Sequence, residues 1–243
     1  MFYLEIFVIT TALSAFFALG GVGSATALVP IMHFLGIEFN FAKAIGLFVN
    51  SATTITATIM NLKRGVLDIK FALPMAITLL ISSPFGAYFS KFIDPKIVKW
   101  LFVIFLIFSA TMILFVKKRE KIHLNRKYIL IVISFIVGVI SGLLGIGGGS
   151  ILMPILILFG FDAKKLAVAM SFVIPFSTIS AFLTYMSFVK FDWNILIISA
   201  IGAIIGGYIG NYFMHFKLNQ AQIKKIIAIL LYLIAIKMGS SLI

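Results

Sequence analysis

Residues 142–154 read Gly-Leu-Leu-Gly-Ile-Gly-Gly-Gly-Ser-Ile-Leu-Met-Pro and interrupt a long apolar stretch in the second half of the chain. Glycine in a helix interior costs about 1 kcal/mol relative to alanine, so three successive glycines, Gly147, Gly148 and Gly149, predict a break in the helix. A degenerate copy, Gly20-Gly21-Val22-Gly23-Ser24, interrupts the first apolar stretch. The sequence therefore predicts two helices broken at glycines, one in each half of the chain.

The composition predicts a membrane protein. Of the 243 residues, 62% are hydrophobic and 11% are charged, whereas charged residues make up about 25% of a globular chain. A helix that crosses a bilayer needs about 20 mostly apolar residues. Uncharged apolar stretches run over residues 6–36, 44–62, 71–90, 100–116, 128–161, 166–189, 195–214 and 226–236. We predict an all-α, polytopic protein of the inner (plasma) membrane with about eight to ten transmembrane segments.

The two halves of the chain are related by an internal repeat. A shift of 124 residues matches Pro30 with Pro154, Thr54 with Thr178, Asp68 with Asp192 and Tyr88 with Tyr212, besides several glycines. We predict two transmembrane repeats, residues 1–116 and 128–243, joined by the strongly basic segment 117–127 on the cytoplasmic side. Duplicated halves are typical of secondary transporters.

The orientation of the repeats depends on the short segments that follow the glycines. If these segments dip into the membrane and return, each half has four crossings and the repeats are parallel. If they cross as parts of a broken helix, each half has five crossings and the repeats are inverted. The inverted arrangement places 14 of the 20 Lys and Arg residues inside the cell, against 11 for the parallel one. The positive-inside rule therefore favours the inverted repeat.

A helix that starts after a glycine break aims unpaired backbone N–H groups and the positive end of its dipole at the space in front of it. Lipid cannot satisfy these groups, so the break should line a cavity or be buried in protein. We predict an anion site built mainly from backbone. Its residues are Gly21, Gly23 and Ser24 in the first half and Gly147, Gly148, Gly149 and Ser150 in the second. Close packing of helices through small residues is the alternative, and we favour it at Gly20 and Gly142.

Polar side chains at helical spacing follow each break. The predicted side-chain donors to the substrate are Asn50, Thr54, Ser171 and Thr178. Such groups can bind an oxyanion without the burial of a charge, although Ser and Thr hydroxyls also bond their own helix or a neighbour. Proline removes a backbone donor and kinks a helix, so Pro30, Pro154 and Pro175 are predicted helix breaks. A kink tolerated within a membrane helix is the alternative at Pro30 and Pro154.

The charged residues near the ends of the apolar stretches are expected to have ordinary structural roles. Asp68 and Asp192 each precede a long apolar helix, so we expect them to be N-caps in preference to proton-coupling groups. The turns after the short segments carry Glu38, Lys43, Asp162, Lys164 and Lys165, which we expect to be solvated.

Several classes of protein are excluded by what the sequence lacks. The chain has no cysteine, no metalloprotease motif, no P-loop lysine and no clustered acid pair, so we expect no enzyme activity, no metal site and no cofactor. The net charge of +13 comes from bases in short gaps between apolar stretches. Such a distribution is typical of membrane orientation and excludes a nucleic-acid partner.

The run 142–154, followed by Gly160, Ala167, Ala169 and Ser171, resembles the signature of the TauE/SafE sulfite exporter family. The first copy departs from that signature, because Ser24 and Ala25 stand where the second has glycines. The resemblance implies a permease for small sulfur-containing anions such as sulfite, thiosulfate or organosulfonates, with H⁺ or Na⁺ as the coupling ion. Independently of the resemblance, analogy with other repeat transporters predicts alternating access around a site at the interface of the repeats.

The sequence leaves the substrate, the direction of transport and the oligomeric state open. A passive anion channel would share these features, and a membrane assembly subunit without transport activity is a further alternative.

Overall fold

The computed structural model describes residues 1–19, 23–115, 126–214 and 220–242. The described residues form the helices α1 Phe2–Leu19, α2 Ala25–Phe34, α3 Phe39–Lys63, α4 Ile69–Phe89, α5 Pro95–Phe115, α6 Arg126–Leu144, α7 Gly149–Leu158, α8 Ala163–Met186, α9 Trp193–Met214 and α10 Gln220–Ser240. Most of the predicted linker, residues 117–125, lies outside the described residues.

Five of the helices, α3, α4, α5, α8 and α9, are long and apolar enough to cross a membrane when only the described residues are considered. Large apolar side chains such as Ile104, Ile140 and Leu233 are exposed on the outside of the bundle, at 61%, 42% and 60%. An exposed apolar surface of this kind suits contact with lipid. The all-α, polytopic architecture predicted from the composition is confirmed.

Carboxylate caps fix where the long helices begin. Glu38 accepts hydrogen bonds from the N–H groups of Asn40 and Phe41, at 2.9 and 2.8 Å, and Asp162 accepts one from Lys165 at 2.9 Å. Glu38 and Asp162, expected to lie in solvated turns, are therefore repeat-related N-caps.

The predicted caps at the starts of α4 and α9 are confirmed. Asp68 accepts from the N–H of Phe71 at 3.1 Å, and Asp192 accepts from the N–H of Asn194 at 2.9 Å. The Lys165 ammonium, followed by the Phe71 N–H, lowers the pKa of the Asp68 carboxyl.

The two ends of the bundle are named here by one residue each. At the Asp68 end, α3 passes to α4 and α7 to α8, and Lys165 Nζ lies 2.8 Å from Asp68 Oδ2. At the Ser90 end, α4 terminates, α2 passes to α3 and α8 to α9, with the rings of Phe41 and Phe191 5.6 Å apart. The bases used to orient the inverted repeat, residues 63–70 and 164–165, lie at the Asp68 end, which is therefore the predicted cytoplasmic end.

Equivalent helices of the two halves run in opposite directions. Ser51 donates to the Thr178 hydroxyl at 2.7 Å, and Thr58 donates to the Ser171 carbonyl at 2.6 Å. Helices α3 and α8 are thus antiparallel, although they match in the repeat. The repeat is inverted, as the charge count favoured.

The remaining helices follow the same pseudo-two-fold relation. Helix α1 packs along α9 as α6 packs along α4, and α5 packs against α10. Small residues allow these close approaches, since a Cβ added to Gly142 would collide with the main chain of Ser83. For Gly142 the packing interpretation is confirmed, whereas Gly20 lies outside the described residues.

The short helices α2 and α7 begin inside the bundle. With 10 residues each, they are about 15 Å long, half the thickness of a bilayer core. Helix α1 runs from the Ser90 end towards the Asp68 end, and α2 returns from mid-depth to the Ser90 end. Three crossings, α3, α4 and α5, follow this pair. Because three is odd, the second repeat starts at the Asp68 end, opposite to the first, and is inverted. The arrangement differs from both predicted alternatives. Each short helix pairs with the long helix before it, and the pair enters and leaves the bundle at the same end.

Close helix packing predicts different outcomes for two glycine substitutions. In Gly142→Ala the new methyl group has no room beside Ser83 and Ala87, so we expect a loss of about 1–3 kcal/mol in stability. In Gly239→Ala the nearest atom, Val103 Cγ1, lies 3.8 Å away, and the stability should be unchanged or slightly raised. Thermal unfolding of both variants in detergent measures this difference, and equal melting temperatures would contradict the packing.

Candidate functional site

The predicted glycine break in the second half is present. Helix α6 ends at Leu144 and α7 begins at Gly149. Between them Gly145 and Gly147 adopt φ of +72° and +76°, a left-handed conformation that glycine adopts without steric cost. In the first half, Gly23 and Ser24 precede the start of α2 at Ala25 and are not helical, and Gly21 is outside the described residues.

Both breaks meet at Asn50, which lies about halfway along α3. A Cβ added to Gly23 would lie 2.7 Å from Asn50 Nδ2, and one added to Gly147 would lie 2.9 Å from the same atom. Asn50 Nδ2 donates to the carbonyl oxygen of Ile146 at 3.1 Å. The Asn50 side chain is therefore wedged between the starts of α2 and α7, where it ties the second break to the first repeat.

Polar groups without partners are concentrated at this point. The Oγ of Ser24 and the Oδ1 of Asn50 are buried and make no hydrogen bond. Neither α2 nor α7 has a side-chain cap, and within the described residues the N–H groups of Ala25, Gly149 and Ser150 have no acceptor. Buried backbone donors are almost always paired, so their accumulation here is typical of a ligand site.

The hydroxyl groups predicted as donors have other partners in this conformation. Thr54 donates to the carbonyl of Asn50 at 2.6 Å, Thr178 to that of Ile174 at 2.9 Å and Ser150 to that of Gly147 at 3.2 Å. Ser171 donates to the Val168 carbonyl at 2.7 Å. Because a hydroxyl has one hydrogen, these groups offer a ligand their oxygen lone pairs unless they rotate.

A cavity of about 40 Å³ lies between the repeats on the Asp68 side of the breaks. This volume exceeds the roughly 10–15 Å³ that one water molecule requires. The lining residues are Ala18, Thr53, Thr54, Ala57, Asn61, Ala167, Met170, Ser171, Ile174 and Asn211. Two predicted donors, Thr54 and Ser171, thus line the cavity, while Ile174 and Met170 separate it from Gly149.

A cationic group lies beside this cavity. The exposed Arg64 donates from Nη1 to Asn211 Oδ1, a cavity-lining residue, at 3.3 Å. No acidic residue lines the cavity, and no group of His, Asp or Glu able to hold a metal occurs among the described residues. The electrostatics of the site therefore favour a negatively charged ligand.

The three prolines do not break their helices. Pro30, Pro154 and Pro175 lie inside α2, α7 and α8, so this part of the sequence prediction is wrong. Pro175 cannot donate to the carbonyl of Ser171, but that oxygen accepts from the Thr58 hydroxyl of α3 instead. A neighbouring helix thus satisfies the carbonyl that the proline leaves free, as is common in membrane bundles.

The expectation that Lys43 lies in a solvated turn is also wrong. Lys43 lies in the second turn of α3 and is 1% exposed, and its ammonium donates to Ser90 Oγ. The sequence analysis also missed Ser177, whose Oγ accepts from the Gly148 N–H at 3.2 Å. A signal for Lys43 was present, because the matched residue in the second repeat is Ala167.

Comparison with known proteins identifies the class. The model of the sulfite exporter TauE/SafE family matches residues 6–238, nearly the whole chain, so the protein belongs to this family of membrane transporters. It is similar to a probable membrane transporter protein of Bacillus subtilis, with 27% identity over 92% of this chain and 90% of the relative. It is also similar to one of Methanocaldococcus jannaschii, with 32% identity over 70% of this chain and 67% of the relative. The protein is a multi-pass transporter of the plasma membrane.

The turn at Gly147 supports a paired substitution test. In Gly147→Ala, a left-handed alanine costs about 1–2 kcal/mol, and its Cβ would lie 2.5 Å from Thr178 Cγ2. We expect this variant to fold but to lose transport, because the start of α7 must shift.

The matched control is Gly36→Ala. Gly36 has a similar φ of +88° and no atom within 4 Å of an added Cβ, so this variant carries the backbone strain without the collision. Transport by both variants in reconstituted vesicles measures the difference. Equal activity at equal protein levels would show that the Gly147 turn does not shape the site.

Proposed function

We propose that this protein is a secondary active permease for small sulfur-containing anions such as sulfite, thiosulfate or organosulfonates. The substrate binds between the two repeats, in front of the N-termini of α2 and α7, and the repeats move about this site to expose it to each side in turn. Either H⁺ or Na⁺ drives the movement.

One observation carries this proposal: two uncapped helix N-termini from opposite repeats meet at Asn50. Their dipoles each place roughly half a positive charge at the centre of the bundle, and their free N–H groups are donors of the kind that bind oxyanions. Each half-helix comes from a different repeat, so a relative movement of the repeats would reshape the site. Discontinuous helices at a repeat interface are typical of secondary transporters.

The choice of sulfur oxyanions rests on the family and on chemistry. The family takes its name from sulfite export. Sulfite, thiosulfate and the sulfonate group each present three oxygen atoms on one sulfur, which suits a small site built from backbone donors. Arg64 beside the cavity would attract such anions from the Asp68 end.

Transport should be measured with labelled sulfite in vesicles that contain the purified protein, with thiosulfate and a sulfonate as competitors. We expect uptake that saturates with sulfite concentration and requires a proton or sodium gradient. In Gly148→Leu the side chain meets Leu79, whose Cδ2 would lie 2.6 Å from the new Cβ, and uptake should fall at least tenfold. Gly239→Leu is the control, with its nearest neighbour at 3.8 Å.

The outcome also separates the two alternatives. Flux that rises linearly with concentration and needs no gradient favours a passive anion channel. No flux of any sulfur oxyanion, in vesicles that retain folded protein, removes the transport proposal and favours an assembly role. Equal uptake by Gly148→Leu and wild type places the substrate elsewhere.

Arg64 gives a test of electrostatic attraction. We expect Arg64→Gln to raise the sulfite concentration for half-maximal uptake from the Asp68 end several-fold at low salt, and the effect should shrink as salt screens the charge. Lys63→Gln removes the same charge one residue away, from a side chain with no hydrogen bond to the cavity lining, and should have a smaller effect. Identical shifts in the two variants would indicate general surface charge.

A further inference from the structure

Inverted repeats place every residue of one half opposite a counterpart in the other, so the cavity should have a counterpart at the Ser90 end. Under the shift of 124 residues, cavity-lining Ala167 matches Lys43, Asn61 matches Tyr185, and Ala57 matches Ala181. Ala167, Asn61 and Ala57 line the cavity. Their matched residues at the Ser90 end, Lys43, Tyr185 and Ala181, are buried.

Two large side chains fill this counterpart. Lys43 and Tyr185 are 1% and 0% exposed. The Tyr185 hydroxyl is within 3.1 Å of the Gly142 carbonyl and 3.2 Å of that of Leu143, so it binds the end of α6 just before the glycine break. The Lys43 ammonium lies 5.1 Å from the centre of the Tyr185 ring. Both side chains are thus buried at the Ser90 end, whereas the cavity described above lies at the Asp68 end.

The Lys43 ammonium has few partners for a buried charge. It donates to Ser90 Oγ and lies over the rings of Phe39 and Tyr185, at 5.0 and 5.1 Å. An ammonium has three donors, and no carboxylate lies within ion-pair distance of Lys43 among the described residues. Cation–π contacts offset part of the cost of burial, and Ser90 Oγ is the one hydrogen-bond acceptor of this ammonium among the described residues.

The position of Lys43 links it to the proposed substrate site. A Cβ added to Gly145, the first glycine of the break, would collide with the Cβ of Lys43. Lys43 also precedes Asn50 by two turns on the same side of α3. Ionisable residues inside a membrane domain are costly and mark transport pathways.

We propose that Lys43 binds the transported anion on the Ser90 side of the pathway, and that Tyr185 closes this side when the anion is absent. When the Tyr185 hydroxyl leaves α6, the Lys43 ammonium faces the opened space and an oxyanion supplies the acceptor atoms that the ammonium lacks. The cation and the gate are thus adjacent, so arrival of the anion and opening are coupled. This inference rests on the proposed function, because it requires an anionic substrate.

The first experiment separates charge from bulk. Lys43→Met keeps an unbranched side chain of similar volume and removes the ammonium. We expect the concentration of labelled sulfite for half-maximal transport from the Ser90 end to rise about tenfold or more, the effect of one charge-assisted hydrogen bond. The value measured from the Asp68 end should change much less.

Lys99→Met is the matched control. Its ammonium lies 5.4 Å from the centre of the same Phe39 ring and Lys99 is only half-buried, so the variant removes one positive charge at the Ser90 end without touching Tyr185. Less than a twofold change is expected. Equal values for Lys43→Met, Lys99→Met and wild type would overturn the inference while leaving the proposed function intact, whereas a wild type without sulfite transport would overturn the proposed function itself.

A second measurement does not depend on the Lys43 variants. The chain has no cysteine, so one introduced cysteine is a clean reporter. Ala181, one turn before Tyr185, is 0% exposed, and Ala181→Cys should react with a membrane-impermeant thiol reagent from the Ser90 end only during transport. Ala57→Cys, at the matched cavity-lining position, should react from the Asp68 end. If Ala181→Cys stays unreactive in vesicles that are transporting sulfite, Tyr185 is not a gate and the inference fails.

Discussion

Backbone N–H and C=O groups cannot be left unpaired in lipid, and this constraint governs the whole structure. The glycine runs free such groups in the middle of two apolar stretches, so the breaks must be enclosed by other helices. The pseudo-two-fold arrangement encloses them, because α3 and α8 cross at the centre and Asn50 of the first repeat packs against Gly23 and Gly147. The Asn50 side chain serves both breaks, since its amide donates to the Ile146 carbonyl and fills the space beside Gly23 and Gly147.

The same constraint accounts for the proposed anion site at the starts of α2 and α7, where backbone N–H groups supply the donors. Free N–H groups at the starts of α2 and α7 are costly unless a ligand accepts from them. In the proposed function an oxyanion relieves this cost by accepting from these N–H groups. Arg64 is exposed beside the cavity, where its charge is solvated and can attract an anion.

The two repeats are alike in backbone but not in the side chains that fill their ends. Alanine and asparagine leave a cavity at the Asp68 end, whereas Lys43 and Tyr185 occupy the equivalent volume at the Ser90 end. A pair of identical repeats would have two conformations of equal energy. Different residues at matched positions make one conformation lower in energy, which is how a duplicated fold can acquire a preferred resting state.

The sequence by itself determined the helical membrane class, the duplication, the helix break in the second half, the caps Asp68 and Asp192 and the family, because these depend on local composition and on spacing along the chain. It also favoured the inverted orientation through its charge distribution. Only the tertiary structure decided that Pro175 lies in an unbroken helix and that Lys43 is buried. Both outcomes depend on neighbours far away in sequence: Thr58 supplies a donor for the carbonyl freed by the proline, and Ser90 and Tyr185 enclose the ammonium. A local pattern cannot specify partners that only the packing of distant helices brings into contact.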